Sequence, residues 1–133
     1  MLRDKHPPGS PEDWLARAEG DLAIAGVPLP KGAFYEDLCF HAQQAAEKAF
    51  KAVYVRHDLR FQYTHDLDEL ITDLERAGIP IPPEVRDVVV LTAYAWEARY
   101  PGVSEPVTKE EHREAIMMAE RVVDWARKKG VEP

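Results

Sequence analysis

The sequence predicts an all-α fold, a five-helix up-and-down bundle. Three observations predict it. The stretch Tyr35 to Arg56 contains no Gly, Pro or Asn and carries alanines at 42, 45, 46, 49 and 52, and alanine gives up the least side-chain entropy in a helix. Apolar residues on either side of it recur at spacings of three and four, whereas no paired run of strand alternation is sustained. The segments so defined are bounded by helix-start residues and by Gly and Pro.

In chain order, residues 1–9 read as a polar, Pro-containing arm, and 10–133 as a single helical domain. Ser10-Pro11-Glu12-Asp13 starts the first helix, with Ser as N-cap, Pro at the first helical position and acids in the first turn. Trp14, Leu15, Ala18, Leu22 and Ala25 follow along one face as far as Gly26, and the turn-rich segment 27–32 leads into the second helix. There Tyr35, Leu38, Ala42, Ala45, Ala49 and Val53 share a face that Cys39, Ala46, Phe50 and Tyr54 widen to more than half the circumference. Such a helix belongs at the centre of a bundle. Its polar remainder is a narrow line of His41, Gln44 and Lys48, with Gln43 and Glu47 beside it.

After His57-Asp58 comes an irregular stretch. Asp66 then caps a short helix bearing Leu67, Leu70, Ile71 and Leu74 and stopping at Gly78, and Ile79-Pro-Ile-Pro-Pro83 is extended. A fourth helix starts after Pro83, carries Val85, Val88, Val89, Thr92, Ala93 and Trp96, and ends before Pro101. Its Val88–Leu91 run also fits a strand, but the flanks keep the helical period. Thr108-Lys-Glu-Glu111 is a capping box that opens a last helix running through Ile116, Ala119, Val122, Val123 and Ala126 to Gly130.

Composition narrows the function. A chain of 133 residues, 45% hydrophobic and 31% charged, fits one globular domain that buries about two-thirds of its unfolded-chain surface. The net charge of -7 disfavours sequence-blind binding to nucleic acid, leaving room only for a local basic groove. Cys39 is the lone cysteine, which excludes an internal disulfide and reads as a small buried hydrophobe. No apolar run approaches the roughly 18 residues that span a bilayer, and the first residues lack a signal-peptide pattern, so no membrane partner and a cytoplasmic location are expected. The absence of Asn, the scarcity of Gln and the 11 prolines give a thermophile-like bias.

Several residues are candidates for ligand binding. His41, Gln44 and Lys48 line up either as groove contacts to a nucleotide's phosphate and base, or as a solvated or dimer-facing stripe in which Glu47 and Lys51 pair at i,i+4. His65-Asp66 is either a ligand or metal contact, or an entry turn whose Asp66 caps the next helix. Arg99 lies three residues after Trp96 and seven after Thr92, on their partly buried face, where its charge requires a carboxylate or a phosphate. Tyr100 goes with it. The histidines are scattered, without a Cys pair or a His-x-x-x-His, and neither a Gly-rich phosphate loop nor a Ser-His-Asp arrangement is present. No metal, cofactor or conventional catalytic group is expected.

The segments Phe40-His-Ala-Gln-Gln-Ala-Ala-Glu-Lys-Ala-Phe-Lys-Ala52, Thr64-His-Asp-Leu67, Ala98-Arg-Tyr-Pro101 and Val107-Thr-Lys-Glu-Glu111 resemble a HEPN domain, the higher eukaryotes and prokaryotes nucleotide-binding family. Asp13-Trp14-Leu15, Ala18 and Asp21-Leu22 fit its first helix, and the resemblance spans roughly residues 10–129. It implies a cytoplasmic prokaryotic protein that dimerises and binds nucleotide or RNA; a helix as apolar all round as 35–56 also leaves surface for a second subunit, so a homodimer or a larger even oligomer is expected. The resemblance also implies a partner, a minimal nucleotidyltransferase, in a toxin–antitoxin-like pair. Ribonuclease members of the family carry an Arg followed, after four to six residues, by a His. Arg99 matches the first position, but the next histidine is His112, which the ribonuclease alternative would have to recruit.

Overall fold

The structure, a computed structural model, describes residues 6–95 and 106–131, the last three as backbone only. Helix α1, Pro11–Ala25, begins as the Ser-Pro signal predicts, with the Asp13 backbone N–H donating to Ser10 Oγ at 3.1 Å. Residues 7–10 before it form a turn. Ser10 N–H donates to the Pro7 carbonyl at 3.1 Å, and Gly9, at φ 78°, donates its N–H to Asp13 Oδ2 at 2.9 Å. Helix α2, Tyr35–Arg56, has the predicted bounds, and Ala42, Ala45, Ala46, Ala49 and Ala52 are all fully buried. Helix α3, Leu67–Arg76, is capped by Asp66, which accepts from Asp68 N–H at 2.9 Å, and it buries Leu67, Leu70, Ile71 and Leu74. Gly78 follows with φ 90°, a left-handed conformation that a side chain resists.

The fourth helix differs in type from the expectation. Only α4, Pro83–Arg86, is α-helical, and Asp87–Ala95 continues as a 3₁₀-helix. Consecutive β-branched residues at 88–90 crowd an α-turn. The tighter coil, with three residues per turn, puts Val85, Val88, Leu91 and Tyr94 on one edge against the core. Val85, Val88 and Leu91 are buried there, while Ala93, placed on the buried face by a 3.6-residue period, is exposed. Helix α5, Lys109–Trp125, opens with the predicted capping box, Glu111 N–H to Thr108 Oγ1 at 3.1 Å and Thr108 N–H to Glu111 Oε1 at 2.9 Å. A π-helical turn, Ala126–Val131, extends it.

The long elements alternate in direction. Trp14 lies against Lys51 and Asp21 reaches His41 and Lys48, so α1 runs antiparallel to α2. The segment after Pro83 runs back again, from Arg86 paired with Glu75 at the end of α3 to Tyr94 hydrogen-bonded with Cys39 near the start of α2. Helix α5 returns alongside α2, with His112 against Tyr35 and Trp125 against Phe50. Helix α3 is a short insert in the α2–α4 connection, fixed by the Tyr54 hydroxyl donating to the Leu70 carbonyl. The result is an all-α five-helix up-and-down bundle around α2, with no strand among the described residues.

Candidate functional site

The polar line of α2 faces its own chain. Asp21 on α1 is buried, and a carboxylate taken out of water needs partners. Lys48 Nζ donates to its Oδ2 at 2.6 Å, and His41 Nδ1 lies 3.0 Å from its Oδ1. His41 and Lys48, both part-exposed, thus tie α2 to α1. The Gln44 side-chain oxygen beside them is buried without a hydrogen-bond partner among the described residues. Asp21 itself was legible as an anomaly, an acid set among Ala18, Leu22 and Ala25 on the apolar face of α1.

A second buried cluster centres on Glu47, which is 3% exposed. Lys51 Nζ donates to its Oε2 at 2.8 Å, the expected i,i+4 pair, but here out of solvent. His65 Nδ1 meets Oε1 at 2.8 Å; since that oxygen only accepts, Nδ1 carries the proton. Gln43 Nε2 donates to Glu47 Oε1 at 3.3 Å and to the His65 carbonyl at 3.1 Å. The Lys51 ammonium also lies over the rings of Trp14, Phe61 and Tyr63, at 5.5, 5.1 and 6.0 Å from their centroids. These contacts strap the irregular segment 57–66 onto α2 and α1. Asp66 acts as the cap of α3, and no group of three potential metal-ligating side chains occurs among the described residues.

His112 borders a concave surface. Its Nε2–H donates to the Ala25 carbonyl at 2.7 Å, and its ring packs on Tyr35 with centroids 5.1 Å apart. These two rings border an open cleft of about 290 Å³ between the α1–α2 loop (Val27, Leu29) and α5. Lys109, His112, Arg113 and Ile116 face it at i, i+3, i+4 and i+7, and no carboxylate lines it among the described residues. Lys109 and Arg113 were missed from sequence, although that helical spacing was available as a signal. Arg99 and Tyr100 lie outside the described residues.

The profile of the HEPN domain matches residues 11–129. The chain belongs to the HEPN domain family. Two solved structures are similar over nearly their whole length. TT1696 from Thermus thermophilus is 26% identical with a TM-score of 0.76, covering 91% of this chain and 98% of that one. ST0689, an archaeal HEPN homologue, is 28% identical with a TM-score of 0.72, covering 90% and 97%. No curated protein sequence matches. In this HEPN domain segments 40–52 and 64–67 meet in the Glu47 cluster, where Gln43 and His65 converge on one carboxylate oxygen. No helix among the described residues is long and apolar enough to cross a membrane.

Proposed function

We propose that this HEPN domain is a nucleotide-binding and interaction module, the partner of a minimal nucleotidyltransferase in a toxin–antitoxin-like pair, and that it does not itself cut RNA. The observation that carries this reading is the state of His112. Metal-independent RNA cleavage needs a group that exchanges a proton at the 2′-hydroxyl and a cation for the phosphate. No histidine follows Arg99 before His112, and His112 has one ring nitrogen engaged by the Ala25 carbonyl and its face packed on Tyr35. It serves as a strut between α5 and α1. What the family's motif leaves is Arg99, whose planar fork suits a phosphate, and Tyr100, whose ring suits a base.

The reading is tested with Arg99 variants. Arg99→Ala abolishes nucleotide or RNA binding with the fold intact, and Arg99→Lys restores it poorly because a fork becomes a point charge. Binding has a shallow salt dependence, since an acidic chain makes few phosphate contacts. Purified protein leaves single-stranded RNA uncut in EDTA. Cleavage by the wild type that is lost in both Arg99→Ala and His112→Ala overturns the reading in favour of a ribonuclease.

A further inference from the structure

We propose that the cleft between α5 and the α1–α2 loop is a docking groove for a peptide segment of a partner protein, one that carries an aliphatic or aromatic anchor flanked by Asp or Glu. The proposal rests on the reading of this chain as an interaction module. Two independent features support it. The first is charge. Acids outnumber bases 24 to 17 in the chain, yet among the described residues the cleft is lined by Lys109, His112 and Arg113 and by no acid. Glu110, which lies off the lining, meets Arg113 loosely at 3.4 Å with both side chains exposed, so that pair yields readily to an incoming carboxylate. The second is apolar surface. Val27 and Leu29 line the cleft yet remain 39% and 38% exposed, Ile116 faces them from α5, and Phe34, next to Tyr35, is 65% exposed.

Together these give an apolar trough with a basic edge. Aliphatic walls reward burial of a Leu, Phe or Trp side chain. The loop wall has few free N–H donors for a base edge, because Pro28 has no N–H and the N–H groups of Gly26 and Val27 already bond to the Leu22 and Ile24 carbonyls. Both features therefore favour an acidic peptide over a nucleobase.

The test is selection of a displayed random 12-mer peptide library on the immobilised full chain, followed by fluorescence anisotropy of the enriched peptides. Enriched sequences are expected to place one large apolar residue among Asp and Glu. The double variant K109E/R113E, which alters two exposed side chains, should weaken their binding by about tenfold or more while keeping the wild-type circular dichroism and thermal midpoint. Leu29→Asp should weaken it independently. The proposal is overturned if selection returns nothing, returns basic peptides, or returns binders indifferent to these variants. It is also overturned if adenosine monophosphate displaces the peptides competitively, or if the unliganded chain self-associates through the cleft and K109E/R113E abolishes that. Co-purification with a nucleotidyltransferase separates the two readings. A complex that survives both cleft variants leaves the module reading standing and removes this one, whereas acidic-peptide binding without any such complex does the reverse.

Discussion

Cys39 is fully buried, and loss of hydration pushes its thiol up to about 12, although a hydrogen bond with Tyr94 opposes the shift. Two expectations follow. Alkylation by iodoacetamide at neutral pH should be negligible in the native protein and rapid in denaturant, because the thiolate is the nucleophile. Folding also keeps this thiol protonated while the unfolded chain ionises near 9. Its contribution to stability is therefore complete below about 9 and declines as the pH rises towards 12, a trend that denaturant midpoints measured across that range would reveal. Glu47 is the second decisive residue. Glu47→Ala leaves the Lys51 ammonium buried without its carboxylate and should cost about 3–5 kcal/mol in chemical denaturation. Arg113→Ala, which breaks an exposed pair, should change stability by less than about 1 kcal/mol. Equal effects would mean that the Glu47 cluster is solvated in solution.

At the scale of the element, α2 is the decisive helix. Its alanines have no exposed surface, and neighbouring helices approach their backbone closely. Ala49→Leu adds a side chain where packing is complete and should cost about 1–3 kcal/mol, read as a lowered thermal midpoint. An unchanged midpoint would mean that the helix is rotated from the orientation described. The bounds of α1, α2 and α3 and the start of α5 were legible because each rests on local chemistry: Ser10 and Pro11, Asp66, the Thr108–Glu111 box, and uninterrupted helix formers in α2. The 3₁₀ geometry of 87–95 was not. A run of valines tolerates several backbone periods, and the core beneath it selected the one that buries Val85, Val88 and Leu91 in register.

Across the whole molecule, the apolar circumference of α2 is covered by α1, α3, the 3₁₀ segment and α5, so any surface for a second subunit has to come from other elements. Apolar groups exposed away from the cleft, Val90 and Met117 among them, are available to a partner copy. Light scattering at micromolar concentration should give a mass of twice 15.1 kDa or a larger even multiple. A mass of 15.1 kDa would rule out self-assembly, and with it any site shared between two copies.

The sequence by itself determined the family, the helical class and most of the element ends, because capping, helix propensity and apolar period act within a few residues of one another. It left undecided where the polar side chains of α2 point, since a charged line on a central helix can face a ligand, solvent or another helix. Tertiary structure decided that. Asp21 sits 20 and 27 residues from His41 and Lys48, and His65 sits 18 from Glu47, and only the antiparallel packing of α1 on α2 and the return of the 57–66 segment bring those charges together. Burying Asp21 or Glu47 is costly unless a partner is present, and that partner is chosen by the fold rather than by neighbours along the chain; the basic cleft likewise exists only because α5 comes to rest beside the α1–α2 loop.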